Sequence, residues 1–207
     1  MVANAGRLSD TGYMRLAYMR DFKRHFFSAG ITALSTKQQR PRMGGPTNDI
    51  TDIGYDLTYQ FLGNREHVVS VGYTNIYERR RYGDPLGGDP ALVPFRRGSV
   101  RDQTLSINYA FRQSYGVLLA HMINTGSADP ARYTPYGVPD TTANLISAYW
   151  TPFGKEDSFS SIANLRLSAT WFRFSKFNGA SDNVFGPFAP TNAEDLNQFQ
   201  VALSLAF

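Results

Sequence analysis

The chain has 207 residues, a formal net charge of +4 and no cysteine; 14% of its residues are aromatic and 18% are charged. The absence of cysteine excludes a disulfide framework, a thiolate metal site and a covalently attached c-type haem. No apolar run approaches the roughly 18 residues of a transmembrane helix, and the aromatic content argues against a disordered chain.

Apolar and polar residues alternate along most of the chain, and this period of two predicts β-strands. In the clearest segment, Ile53–Phe61, the large apolar residues share one face while small and polar residues share the other. Weaker alternation extends the prediction to nine strands of about 9 to 14 residues, the length that a tilted strand needs to cross a bilayer. In chain order they are Gly12–Phe22, Phe26–Lys37, Ile53–Phe61, Val69–Glu78, Gln103–Phe111, Tyr115–Thr125, Thr141–Thr151, Ala163–Lys176 and Phe199–Phe207. Within the eighth, the pair Trp171–Phe172 interrupts the alternation and predicts a bulge.

The predicted connections alternate between short and long. Short turns are predicted at Lys23–Arg24, Gly63–Asn64, Arg112–Ser114 and Phe153–Ser158. Long loops are predicted at Gln38–Asn48, Tyr82–Gly98, Gly126–Asp140 and Asn178–Ala193. Tight turns at one end and long loops at the other are typical of outer-membrane barrels.

The two faces of the predicted strands differ in chemistry, since one carries Tyr, Phe, Leu, Val and Ile and the other small polar residues with a few charges. A soluble β-sandwich covers its apolar face with a second sheet, whereas a membrane barrel turns that face to lipid. The predicted strands are long for a sandwich, and aromatic residues gather near their ends, as at membrane interfaces. We therefore expect an all-β fold, an antiparallel up-and-down transmembrane β-barrel, with a soluble β-sandwich binding module as the alternative.

The C-terminal segment Phe199–Phe207 alternates throughout and ends in phenylalanine. It resembles the last strand of Gram-negative outer-membrane β-barrels. The resemblance implies that Phe207 is part of the signal read by the barrel assembly machinery. It also implies a location in the outer membrane, with lipid and lipopolysaccharide as partners.

A narrower resemblance involves about thirty residues, from Phe174 through Lys176–Gly179 and Ser181–Asn183 to the last strand. This stretch is similar to the end of porin-like barrels that accompany multihaem c-type cytochromes, although Pro187 and Pro190 depart from that pattern. It implies an alternative function, in which the barrel is a sheath or partner of a periplasmic c-type cytochrome in electron transfer across the outer membrane.

The odd number of predicted strands is itself informative, because bacterial single-chain barrels have even numbers. If Phe207 ends at the periplasm, the first strand already runs inwards from the cell exterior. We therefore expect residues 12–207 to be part of a larger even-stranded barrel domain. Residues 1–11 form a lead-in or the remnant of a preceding strand, and a signal peptide is expected upstream, since no apolar h-region is present here.

Charged residues fall into two predicted sets. The residues expected to line the lumen are Arg15, Asp52, Asp56, Glu78, Arg80, Asp102 and Arg166. The basic residues expected to contact lipopolysaccharide phosphates at the outer rim are Lys37, Arg40, Arg42, Arg79, Arg81, Arg96, Arg97 and Arg101. Nucleic-acid binding, with Tyr77, Tyr82 and Phe95 as stacking platforms, is the disfavoured interpretation of the second set.

Enzymatic motifs are lacking. His25, His67 and His121 match no metal-ligand spacing, and no nucleophile-elbow motif is present. An outer-wall phospholipase would have to pair His121 with Ser106 or Ser147. We therefore predict no catalytic, metal or cofactor site, and a porin-like barrel that passes ions or small solutes by passive diffusion.

Overall fold

The computed structural model describes residues 7–39, 46–63, 66–83, 96–152, 164–188 and 190–206. These residues form a single sheet of nine antiparallel strands in which every strand pairs with its neighbours in the sequence. The strands are β1 (Arg7–Phe22), β2 (His25–Gln39), β3 (Thr47–Phe61), β4 (His67–Arg81), β5 (Arg97–Phe111), β6 (Tyr115–Gly126), β7 (Thr141–Trp150), β8 (Asn164–Lys176) and β9 (Gln198–Ala206). The all-β class, the number of strands and their up-and-down order agree with the sequence prediction.

Several strands extend further than the hydrophobic pattern indicated. β3 begins at Thr47 rather than Ile53, and β5 at Arg97 rather than Gln103. The extra residues are mostly polar, but they continue the backbone ladder, in which Asp49 pairs with Arg81 and Arg81 with Arg97. A ladder requires only backbone groups, so it continues where the apolar alternation has stopped.

The predicted bulge at Trp171–Phe172 is wrong in position. The register of β8 shifts only where Thr142 and Ala143 pair with Lys176 and Phe174, which leaves Ser175 as the extra residue. Trp171 and Phe172 themselves keep regular pairing, because they lie on opposite faces of the strand.

The connections lie at two ends of the sheet, since consecutive antiparallel strands join at alternating ends. The connections after β2, β4, β6 and β8 share one end, called here the loop end, and those after β1, β3, β5 and β7 share the other, the turn end. The predicted short turn at Phe153–Ser158 lies outside the described residues, between the end of β7 at Trp150 and the start of β8 at Asn164.

The sheet is open. β1 and β9 are its two edges, and within the described ranges no pairing joins them. Because the strand number is odd, both edge strands run in the same direction.

The buried apolar side chains lie mostly towards the loop end: Tyr82, Val100, Ala143, Val184 and Ala193. No second layer of secondary structure packs on the sheet within the described part of the chain; besides strands it holds a short 3₁₀ turn, Ala193–Leu196. None of the helical segments described there is long and apolar enough to cross a membrane.

Candidate functional site

The register separates the sheet into a polar face and an apolar face. On the polar face, Thr58 lies opposite Gly72, which lies opposite Ser106. On the apolar face, Leu57 lies opposite Tyr73, which lies opposite Leu105. The large alternating residues of β3, β5 and β9 all fall on the apolar face: Tyr55, Leu57, Tyr59, Leu105, Ile107, Tyr109, Val201, Leu203 and Leu205.

Exposure differs between the faces in the direction opposite to that of a soluble protein. Leu57 and Leu105 are 51% and 45% exposed, whereas Asp56 and Thr58 are only partly exposed. In a sheet of one layer, this asymmetry indicates curvature towards the polar face, where side chains of neighbouring strands converge.

The seven residues predicted to line a lumen all lie on the polar face, and the structure pairs several of them. Nη2 of Arg15 on β1 donates to Oδ1 of Asp56 on β3 at 2.7 Å. The pair passes over Gly30 of the intervening strand β2, where a Cβ would lie 2.6 Å from Oδ2 of Asp56. Arg166 lies over the ring of Tyr149, with Cζ 4.2 Å from the centroid.

A second group of these charges lies closer to the loop end. Arg80 forms an ion pair with Glu78, and Asp102 accepts a hydrogen bond from Asn124. Asp52 lies directly opposite Glu78, and its Oδ1 is buried with no hydrogen-bond partner among the described residues. The group therefore holds three carboxylates and one guanidinium.

The connection after β6 folds back over this group. Asp129 is 3% exposed and forms an ion pair with Arg132, whose guanidinium carbon lies 3.5 Å from the ring centroid of Tyr82. Burial and the neighbouring phenol of Tyr82 raise the pKa of Tyr133. We call the segment 129–137 the loop strap.

The connection after β8 packs on the loop strap. The hydroxyl of Tyr136 donates to the carbonyl of Asn183 at 2.9 Å, and the amide of Gly179 donates to the carbonyl of Asp140 at 2.8 Å. Val184, in the connection after β8, is fully buried. Two long connections thus form one cap at the loop end, which the sequence analysis did not predict. The local sequence feature that could have indicated it is Asp129 three residues before Arg132, a spacing that allows an ion pair within one turn.

The basic residues predicted at the outer rim do not all lie on the same part of the sheet. Lys37, Arg79, Arg81, Arg97 and Arg101 lie on the apolar face, opposite to the lumen set. Arg96 lies in the connection before β5, and its carbonyl accepts a hydrogen bond from the amide of Tyr82. Arg40, Arg42 and the assembly residue Phe207 lie outside the described residues, and the roles of both sets stay predictions.

Two histidines take part in a repeated aromatic cluster at the turn end. Nδ1 of His25 lies 2.9 Å from the hydroxyl of Tyr59, and its ring packs on Phe61. Nδ1 of His67 lies 2.7 Å from the hydroxyl of Tyr109, and its ring packs on Phe111 in the same way.

The third histidine lies on the apolar face, where it contacts Asn144 at 2.8 Å. Ser106 and Ser147 lie on the polar face, so the sheet separates either hydroxyl from His121. Within the described ranges no cluster of three metal-ligating side chains occurs.

The apolar side chains form a belt whose height changes across the sheet. On β1 the belt runs from Met14 to Phe22, and on β9 from Phe199 to Leu205. Pairing across the nine strands places Phe199 of β9 level with Arg20 of β1. On β1 the edge of the belt nearer the loop end is Met14, so from β1 to β9 this edge shifts by about six residues towards the turn end. An apolar band of constant height drifts in this manner when strands are tilted, as in membrane barrels at about 35–45°.

Comparison with known protein families, with curated proteins and with solved structures found no match to this chain. The stretch Lys176–Gly179, which carries the narrower resemblance, begins at the last residue of β8 and continues into the turn that follows it. Lys176 forms an ion pair with Asp140 at 3.2 Å. The cytochrome partner stays a prediction.

Proposed function

We propose that this chain forms wall strands of a transmembrane β-barrel that passes ions or small solutes across the outer membrane of a Gram-negative bacterium. The observation that carries the proposal is the tilted apolar belt on a sheet of one layer. Lipid would cover that belt, whereas in water it would leave large residues such as Leu203, 68% exposed, without a partner layer.

The polar face supplies the lining of the pore in this proposal. Arg15 with Asp56 and Arg80 with Glu78 are compensated pairs, while Asp52 and Asp102 add negative charge near the loop end. The loop strap over this region narrows the aqueous space. These features support passive diffusion with a preference for cations.

The single sheet argues against the β-sandwich alternative, because a sandwich needs a second sheet on the apolar face.

The barrel assembly machinery would insert such a protein, and outer-membrane lipid would surround it. No observation among the described residues favours catalysis.

Because the chain has no cysteine, a single introduced cysteine can be labelled at a chosen position. Single cysteines replace Ile107 on the apolar face and Ser106, the adjacent residue on the polar face, and each is labelled with an environment-sensitive fluorophore. After reconstitution of the full chain into vesicles, we expect brominated lipid to quench the label at 107 and aqueous iodide to quench the label at 106.

Quenching of both labels by iodide, with none by brominated lipid, would contradict the proposal. A polar face that lines water should also admit small ions, so vesicles that hold the protein should release an ion-sensitive dye faster than empty ones.

A further inference from the structure

A cleft lies in the cap at the loop end, between the loop strap and the connection after β8. Its volume is about 380 Å³, within the range of about 300–1,000 Å³ that is usual for small-molecule sites. The loop strap contributes one aromatic residue, and the end of β8 with the turn after it contributes the polar groups. The lining includes Tyr136, Ser175, Lys176, Gly179, Ser181 and Asp182.

Backbone hydrogen bonds hold the β8 side of the cleft in place. The amide of Phe177 donates to the carbonyl of Ala180 at 2.8 Å, which closes the turn after β8. The amide of Ala193, a fully buried residue, donates to the carbonyl of Ser181 at 2.8 Å. Because these contacts fix the wall before a ligand arrives, little conformational freedom is left to lose on binding.

Tyr136 forms the aromatic wall, and contacts fix it at both ends. Its hydroxyl donates to the carbonyl of Asn183 at 2.9 Å. A Cβ added to Gly179 would lie 3.1 Å from Cβ of Tyr136, so the turn approaches the loop strap this closely because position 179 has no side chain. Tyr136 nevertheless stays 44% exposed, which leaves aromatic surface open to a ligand.

The polar groups of the cleft can both donate and accept hydrogen bonds. Nζ of Lys176 donates to Oδ2 of Asp140 at 3.2 Å, and an ammonium group has three donors in all. Oδ2 of Asp182 accepts a hydrogen bond from the hydroxyl of Ser181 at 3.1 Å, and a carboxylate accepts several. Among the described lining residues one side chain is positive and one is negative, so the cleft does not select for a ligand with a net charge.

We propose that this cleft binds a neutral hexose unit of a carbohydrate. A pyranose ring has an apolar C–H face, which packs on an aromatic ring such as that of Tyr136. Its hydroxyl groups need donors and acceptors together, and Lys176 and Asp182 supply them. A zwitterion such as glycine would use the two charges but not the aromatic surface.

The inference goes beyond the pore function proposed above, since binding to the cap does not depend on the passage of solutes. In the proposed barrel the loop end faces the cell exterior, where the cleft would be open to carbohydrate outside the cell. The chain would then combine a membrane wall with a recognition site at one end.

The experiment records saturation-transfer NMR of three neutral trisaccharides, built of glucose, galactose or mannose, with the full chain folded in a detergent that has no sugar headgroup. At least one trisaccharide should receive saturation, most strongly at the C–H protons of one ring face. Tyr136→Leu should bind it about fivefold to tenfold more weakly, because the aromatic contact is lost. Tyr136→Phe keeps the ring and should stay within about threefold of the parent chain.

Asp182→Asn should also bind about tenfold more weakly, because a charged acceptor is lost. Its matched control is Asp21→Asn, which removes the same charge from an exposed position at the turn end and should bind like the parent. Parental affinity in Tyr136→Leu or in Asp182→Asn would overturn the site, and so would an equal loss in Asp21→Asn.

Saturation of none of the three sugars would overturn the hexose as the ligand, and so would displacement of a bound sugar by an equal concentration of glycine. The label at residue 107 separates this proposal from the first. Sugar binding without lipid quenching would remove the membrane wall alone, whereas lipid quenching without sugar binding would remove the cleft alone.

Discussion

At the scale of single residues, the polar face depends on a position that has no side chain. Arg15 and Asp56 lie on strands that are not neighbours, and their ion pair at 2.7 Å occupies the space above Gly30. Any larger residue at position 30 must push Asp56 away from Arg15.

We expect Gly30→Ala to displace the Asp56 carboxylate and to lower the free energy of unfolding by about 1 kcal/mol, because the displaced side chain is flexible and a partly exposed ion pair contributes little. Gly12→Ala is the matched control, because a Cβ at position 12 of β1 meets nothing within 4 Å, and its change should stay within about 0.5 kcal/mol. Urea unfolding in lipid vesicles measures both; equal effects would show that the space above Gly30 is unimportant.

At the scale of elements, each strand presents opposite chemistry to its two sides. In the middle of β5, Ile107 is 43% exposed on the apolar face and the next residue, Asn108, lies on the polar face with partial exposure. The assignment of lipid to one face and water to the other therefore distinguishes adjacent residues.

Ile107→Arg should cost roughly 2–4 kcal/mol of folding free energy in a bilayer, the penalty for arginine at the midplane of a barrel wall. Asn108→Arg, on the same strand, should cost much less, because its charge would enter the aqueous side. The folding yield in vesicles against urea concentration reports both values, and similar yields for the two variants would argue against a membrane wall.

The loop strap is the second element with a definite chemical basis. The carboxylate of Asp129 is almost fully buried against Arg132, and the Arg132 guanidinium stacks on Tyr82 of the β4 end. Removing the charge of Asp129 leaves a buried guanidinium with a weaker partner.

Asp129→Asn should therefore loosen the loop strap by about 1–3 kcal/mol without unfolding the sheet. Hydrogen exchange of the amides at 132, 133 and 137 should accelerate, while exchange in β3 and β4 stays unchanged. Asp182→Asn, an exposed aspartate of the neighbouring connection, is the control; no change in the loop strap of the Asp129 variant would contradict the assigned role.

At the scale of the whole molecule, the open edges decide what the sheet can do. β1 and β9 run in the same direction, so an antiparallel closure between them requires an odd number of further strands. Unpaired backbone groups at both edges cost several kcal/mol each in hydrocarbon.

The 207-residue chain reconstituted alone should therefore give irregular conductance in planar bilayers, although its strands enter the lipid. Steady channels of uniform size from this chain would mean that β1 and β9 do meet, and the open sheet would then be wrong for the inserted state. A chain carrying Ile107→Arg controls for currents that arise without insertion.

Sequence alone determined the number of strands, their faces and the ends at which most connections lie. The reason is that side chains alternate along any strand, so a period of two in residues such as Leu105, Ile107 and Tyr109 assigns faces without knowledge of partners. The separation of Asp56 and Arg15 from Arg81 and Arg97 follows from the same alternation.

Only the tertiary structure decided which residues meet. The Arg15–Asp56 pair depends on the relative registers of three strands, and the contact of Arg132 with Tyr82 joins residues from different connections. Such features depend on hydrogen bonds and packing between segments distant in the sequence, and local patterns carry no record of them.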